Sequence, residues 1–195
     1  IIAQRIAPAH IWAVVKANGY GHGAVPVAQA ALVAGATGLC VAIADEGVAL
    51  RRAGITAPIL ILSEQPAEMS EFIVGYGLTP TIASTRGAAT IAQAAAKAER
   101  TVAVHLKVDT GMHRVGVAPN EALNLASYVQ SFGSLEIEGI YTHFAVADDP
   151  SHPANEKQLN LFNDVIAKFA ERGINPPMVH AANSAAALAN PDARF

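Results

Sequence analysis

The sequence predicts an α/β fold, a (β/α)8 TIM-type barrel of which about seven βα units fall in a single domain over residues 1–195. Three observations carry this. Segments of strand and helix type alternate from end to end, as they do when helices cover a parallel sheet. Strand segments such as Ile59-Leu60-Ile61-Leu62 are apolar on both faces, which suits strands buried from both sides. The units follow one another without a linker, which favours a closed barrel over the open doubly wound sheet that the same alternation allows. A complete barrel runs to about 250 residues, so an eighth strand is expected outside this stretch.

The first strand is Ile11–Lys16, and the Ala-rich helix Ala24–Ala34 follows, closed by Gly35. Leu39–Ile43 is the second strand. Its helix opens at Asp45-Glu46-Gly47, where acidic side chains complement the helix dipole, and closes at Arg51-Arg52-Ala53-Gly54 with cations and then glycine. Pro58 leads into the third strand, Ile59–Ser63, and a helix over Pro66–Tyr76. Leu78–Ala83 is the fourth strand, and Ser84-Thr85 caps the long helix Arg86–Lys97. Thr101–Asp109 is the fifth strand, with a helix over Asn120–Phe132. Leu135–Phe144 is the sixth, followed by the amphipathic helix Glu156–Arg172 that Gly173 ends. Met178–Ala182 is the seventh, and a last helix starts near Ser184.

Composition narrows the function. With 52% hydrophobic and 15% charged residues the chain buries a substantial core, which excludes a disordered segment. A net charge of -3 provides no basic footprint for nucleic acid or an anionic membrane, and no apolar run is long enough to span a bilayer. The single cysteine, Cys40, lies in the apolar run Gly38–Ile43 and reads as a small core residue. With no charged and apolar leader at the start of the sequence, this predicts the cytoplasm.

The chemistry collects at the carboxyl ends of the strands, where barrels build their sites. Lys16 ends the first strand, Ser63 and Glu64 the third, Lys107 and Asp109 the fifth, His143 the sixth, and Asn183 and Ser184 the seventh. Lys16 stands out. A lysine withdrawn from water loses preference for its charged form and becomes a nucleophile toward a carbonyl. The turn after it, Ala17-Asn18-Gly19-Tyr20-Gly21-His22-Gly23, holds three glycines, so its backbone can approach a phosphate closely. A reactive amine beside a phosphate cradle is what pyridoxal phosphate requires. A solvated lysine and an unliganded turn are the plainer reading of the same two features.

On the fifth strand His105, Lys107 and Asp109 share one face. If it points inward, Lys107 needs a partner, and Asp109 is the nearest candidate in sequence. The glycine turn Thr110-Gly111-Met112-His113-Arg114 brings Arg114 back over the rim, where its planar fork suits a carboxylate or a phenolic oxygen. Seven histidines are present, without H-E-x-x-H or paired cysteines, so no metal site is expected. His10, His113 and His152 read as solvated, His105 and His180 as structural, and His22 as a brace for the glycine turn. Trp12 reads as core, away from the active end of its strand. Asn183-Ser184 serves either a phosphate or an ordinary helix cap.

The strings V-x-K-A-N-G-Y-G-H-G around Lys16 and K-V-D-T-G-M-x-R-x-G around Arg114, with Tyr141-Thr142-His143-Phe144-Ala145 and Asn183-Ser184, resemble the alanine racemase family from Trp12 to Ser184. The resemblance implies pyridoxal 5'-phosphate held as a Schiff base on Lys16, with Tyr20, Asn183 and Ser184 at the phosphate. Arg114 would stand near the phenolic oxygen and the substrate, and His143 beside the ring. It further implies a carbamylated lysine at Lys107 that orients Arg114. The activity implied is interconversion of L-alanine and D-alanine, a small-molecule amino acid substrate, supplying D-alanine for peptidoglycan. Lys16 would be one of two bases in a cytoplasmic homodimer. The second base, an arginine facing the pyridine nitrogen, the eighth strand and a β-rich domain are then expected outside these residues. A barrel that binds the cofactor without catalysis, and a racemase for another amino acid, are the competing expectations.

Overall fold

The computed structural model describes residues 2–195. Seven strands form one parallel sheet in sequential order. They are β1 (Trp12–Val14), β2 (Gly38–Val41), β3 (Ile59–Ile61), β4 (Thr79–Ile82), β5 (Val102–Lys107), β6 (Leu135–Tyr141) and β7 (Met178–His180).

Contacts that skip strands show how far this sheet curls. Neighbouring strands lie about 4.8 Å apart, so β1 and β5 would be separated by about 19 Å in a flat sheet. Yet the rings of Trp12 on β1 and His105 on β5 are 5.8 Å apart. The hydroxyls of Thr81 on β4 and Tyr141 on β6 meet at 2.7 Å, and both Tyr141 and Lys107 reach the carbonyl of Leu62 just past β3, each at 3.0 Å. The sheet is a barrel wall open between β7 and β1, the gap an eighth strand would fill.

Alternation along the strands sorts side chains into two layers. Leu39, Val41, Ile59, Ile61, Val104, Leu106 and Ile140 are buried against the surrounding helices. Cys40, Leu60, Thr81, His105, Lys107 and Tyr141 take the other face, toward the barrel interior. Cys40 is buried as expected, and burial pushes its thiol pKa up to about 12. It is a packing residue, not a nucleophile.

The helices follow their strands as the sequence predicts, with ends moved by local bonding. They are Ala24–Val33, Ala44–Arg52, Thr85–Lys97, Ala122–Gln130, Pro153–Glu171 and Ser184–Ala189. The Ser84 hydroxyl accepts from Gly87 N at 3.0 Å, the expected cap. The helix expected over Pro66–Tyr76 is a 3-10 turn, Ala67–Met69, running into the helix Ser70–Gly75. The helix expected from Glu156 starts a turn earlier, because His152 Nδ1 accepts from Ala154 N and Pro153 occupies the first turn. A short helix, Ile2–Ile6, was not legible in the sequence; Arg194 donates to the Arg5 carbonyl at 3.2 Å and ties the two ends of the chain.

Candidate active site

The first strand stops at Val14, not at Lys16 as the sequence suggests. Val15 N still donates to Cys40 O at 2.9 Å, and the chain then turns through left-handed backbone: Ala17, Asn18, Gly19 and Tyr20 have φ of 51, 53, 62 and 55°. A side chain in this region costs about 1–2 kcal/mol per residue because Cβ crowds the following carbonyl, so the three non-glycine residues, Ala17, Asn18 and Tyr20, must be held there by their surroundings. The Asn18 carbonyl accepts from Gly23 N at 2.8 Å, and the Asn18 side chain accepts from Ala24 N at 3.0 Å. Glu46 accepts from Ala17 N at 2.7 Å. His22 is exposed, so the bracing expected of it is supplied by Asn18 and Glu46. The turn leaves Lys16 half-buried and Tyr20 exposed at the rim.

Lys107 points inward, but its partner is not Asp109. Its ammonium donates to Leu62 O at 3.0 Å and lies 5.2 Å from the centre of the Tyr141 ring. Burial, then the Arg114 charge, lowers its pKa to about 8, with Asp109 opposing and Lys16 adding to the shift. Asp109 lies past the end of β5, where its own turn claims it. Its Oδ1 accepts from Gly111 N at 3.0 Å and His113 N at 2.9 Å, and Oδ2 sits 3.5 Å from the His113 ring. Burial works against the carboxylate, yet those amide bonds hold its pKa below the ordinary value. A bridge of Val117 to Lys107 and Asp109 closes the loop that carries Arg114. Gly116 is required there: a Cβ would stand 2.6 Å from Asp109 N, and its φ is 143°.

His143 follows β6 and is half-buried. Gln158 fixes its backbone, donating to His143 O at 3.0 Å and accepting from Ala145 N at 2.9 Å. Burial lowers the His143 pKa, and Lys107, Arg114 and Lys16 lower it further. The pairing of β5 with β6 and the approach of Trp12 on β1 to His105 on β5 set strands 1, 5 and 6 around one interior. None of the three cations has an ion-pair partner among the described residues. At the end of β7 the Asn183 side chain accepts from Ala186 N at 3.0 Å, so it is committed to the helix cap, while Ser184 is exposed at the first helical position. His10, His113 and His152 are exposed as the sequence suggests.

A polar relay below this mouth was only half legible. His105 Nδ1 and His180 Nε2 are 2.9 Å apart, and His105 Nε2 lies 3.2 Å from Glu138 Oε2. The β5–β6 register skips Glu138, because Val104 pairs with Ile137 and His105 with Gly139; the bulged residue is the one that reaches His105. A Cβ on Gly139 would meet the His105 ring at 2.6 Å. Trp12 also belongs to the interior, over the same imidazole, not to the helix-facing core. The inward face of His105 was visible in the strand alternation. Its partners, 33 and 75 residues away, were not.

A rim with three cations that have no ion-pair partner among the described residues, beside an imidazole whose pKa is lowered, suits a small anionic ligand. Among the described residues no group of three or more His, Cys, Asp and Glu could hold a metal ion, and no helix is long and apolar enough to cross a membrane. The family described as "Alanine racemase, N-terminal domain" matches residues 1–195. The chain belongs to this family. The alanine racemase of Desulfovibrio desulfuricans is 46% identical over 179 residues, 92% of this chain and 48% of the relative. That of Symbiobacterium thermophilum is 42% identical over 193 residues, 98% of this chain and 51% of the relative. A Clostridium difficile alanine racemase solved in complex with cycloserine superposes over 100% of this chain and 54% of its own, with a TM-score of 0.96 and 36% identity. A Bacillus anthracis alanine racemase with bound L-Ala-P superposes over 92% of this chain and 47% of its own, with a TM-score of 0.86 and 40% identity. The chain therefore spans about half the length of the relatives it matches. The superpositions make the seven-stranded wall an incomplete alanine racemase barrel.

Proposed function

We propose that this chain is the cofactor-binding barrel of an enzyme that interconverts L-alanine and D-alanine, with Lys16 as the residue that carries pyridoxal 5'-phosphate. The observation that carries this is the placement of Lys16 immediately before a locked left-handed turn, where its charge and that of Arg114 both act on Lys107 and none of the three cations has an ion-pair partner among the described residues. Such a donor set fits a phosphorylated, phenolic ligand. Bound there, the cofactor supplies an electron sink for the pair left on Cα when its proton is removed.

The remaining roles fall to the protein. Tyr20 and Ser184, both exposed at the rim, would hold the phosphate; Asn183 contributes by capping the helix that presents Ser184. Arg114 would bind the phenolic oxygen and the substrate carboxylate. His143, its pKa lowered by burial and then by its cationic neighbours, would stand beside the cofactor ring, where a weaker tendency to charge spares the site a further cation. Lys16 removes or returns the Cα proton on one face. Racemisation needs a second base on the opposite face, so the rest of the protein, and a second subunit, complete the site. The whole enzyme would be a cytoplasmic homodimer supplying D-alanine.

The test is made on the full-length protein: borohydride should fix the cofactor to Lys16, and L-alanine should be converted to a mixture of enantiomers. Fixation without conversion of alanine would replace this reading with a non-catalytic carrier or a racemase of other specificity. Loss of both would remove it altogether.

Lys107 carries a second proposal, a carbamate. Its lowered pKa leaves an appreciable fraction of neutral amine near neutral pH. That nitrogen can add to the carbon of carbon dioxide, forming an N–C bond while one C=O opens to an oxyanion and the N–H proton leaves to water. The product exchanges a cation for an anion next to Arg114. Carbon-13 NMR in labelled bicarbonate should show a carbamate signal that Lys107→Ala abolishes. Identical spectra for the two proteins would dismiss the modification.

A further inference from the structure

The carboxylate of Glu46 makes two kinds of bond. Oε2 accepts from Ala42 N at 2.7 Å and Ile43 N at 3.3 Å, within its own loop and helix start. Those are what a side chain capping the helix Ala44–Arg52 should make. Oε1 does something a cap does not require: it accepts from Ala17 N at 2.7 Å, across 29 residues of sequence. Ala17 follows Lys16 and is the first left-handed residue of the turn.

We propose that Glu46 is a positioning residue that fixes the reach of Lys16 by pinning the Ala17 amide. The proposal rests on the reading of Lys16 as the cofactor-bearing residue. Ala17 carries a Cβ and has no intrinsic reason to sit at φ 51°. Released, its backbone falls to the broader right-handed or extended basins, and the preceding peptide plane rotates with it. That rotation swings the Lys16 side chain. A charge-assisted bond from a carboxylate is strong enough to oppose this.

The pin is itself anchored. The Gln65 side chain accepts from Ala44 N at 3.0 Å and donates to Ser63 O at 2.9 Å, so the loop bearing Glu46 is stitched to the end of β3. Lys16 is thus indexed to the barrel rim through Ala17, Glu46 and Gln65, and not only through its own strand. Glu64 provides an internal comparison. It accepts from Ala83 N at 2.8 Å and from the Ser84 hydroxyl at 2.6 Å, the same chemistry applied to a neighbouring pair of loops, with no contact to the Lys16 turn.

The experiment uses the full-length protein, freed of cofactor, with pyridoxal phosphate as the probe. Its readouts are the rate at which the cofactor becomes covalently attached to Lys16, followed by absorbance and borohydride trapping, and the melting temperature. Glu46→Gln keeps the size but sets an NH2 group against a backbone N–H, so it breaks one side of the clamp. Attachment should slow by about ten- to a hundredfold, the scale of an ångström-level misplacement. Glu64→Gln should lower the melting temperature comparably and leave attachment within about twofold. Adding Ala17→Gly to Glu46→Gln should recover much of the rate, since glycine takes the left-handed conformation without a Cβ clash. Hydrogen exchange of the Ala17 amide in the parent is the check that survives if Glu46→Gln fails to fold; it should be as protected as the amides of β2. A fast-exchanging Ala17 amide overturns the proposal, as does an unchanged rate in Glu46→Gln or an equal fall in Glu64→Gln. A parent that attaches no cofactor at Lys16 removes the underlying reading instead.

Discussion

Replacing Lys16 by alanine is expected to lower alanine racemisation by the full-length protein by about ten-thousand-fold or more, because one substitution removes both the covalent tether and a proton-transfer group. Lys16→Arg should fall as far. It keeps the positive charge that helps lower the pKa values of Lys107 and His143, but a guanidinium neither attacks a carbonyl nor gives up a proton near neutral pH. Stability should move the other way. Lys16 has like charges near it and no ion-pair partner among the described residues, so with both proteins freed of cofactor Lys16→Ala should melt no earlier than the parent. A coupled assay for D-alanine and a thermal melt measure the two quantities. Residual activity above a few per cent in either variant would mean that another amine carries the chemistry.

The fold was legible because its signals are local. Ile59–Ile61, buried on every residue, reads as a two-sided strand from its composition, and Ser84 before Thr85–Lys97 reads as a cap from its hydroxyl alone. What stayed hidden depends on partners distant in sequence. Three glycines announced a turn after Lys16, but nothing local in Ala17 or Asn18 announces a left-handed one. That conformation is imposed by a carboxylate on another loop, and Glu46 itself reads only as an acidic residue favouring a helix start. Pairing Lys107 with Asp109 failed for a related reason. Strand alternation puts both on one face, but the strand ends at Lys107, and beyond it the amides of Gly111 and His113 are better placed to bind the carboxylate. The candidate residues Lys107, His143 and Asn183 were visible as polar groups at or just past strand ends, since barrel topology brings every such end to one rim.

Stability should fall steeply as the pH drops from about 6.5 toward 5, and His180 should be a main cause. Burial, followed by the charges of His105 and Lys107, pushes its pKa down to about 3. An unfolded chain binds a proton at this histidine below its ordinary value near 6.5, whereas the folded chain does so only near 3. Between those limits the unfolded state holds more protons, so unfolding gains on folding as acid is added. His143, lowered in the same direction, adds to the slope. The geometry explains why His180 resists charging. Its Nε2 faces His105 Nδ1 at 2.9 Å, and its ring stacks on Tyr141 at 4.5 Å and 7°, leaving the new charge no carboxylate of its own. Glu138 is bonded to the far side of His105, and its own pKa is lowered chiefly by that bond, so it contributes only at more acid pH. Working between pH 6.5 and 5 therefore separates the histidines from the carboxylates. A loss of about 1–2 kcal/mol is expected across that window from His180, discounted for its partial exposure. Denaturant unfolding at stepped pH measures it, and His180→Gln, which cannot titrate, should flatten the dependence while lowering stability at pH 7 through the altered bond to His105. A parent whose stability is level across the window, or a variant with an undiminished slope, would show that protonation reaches the relay without resistance.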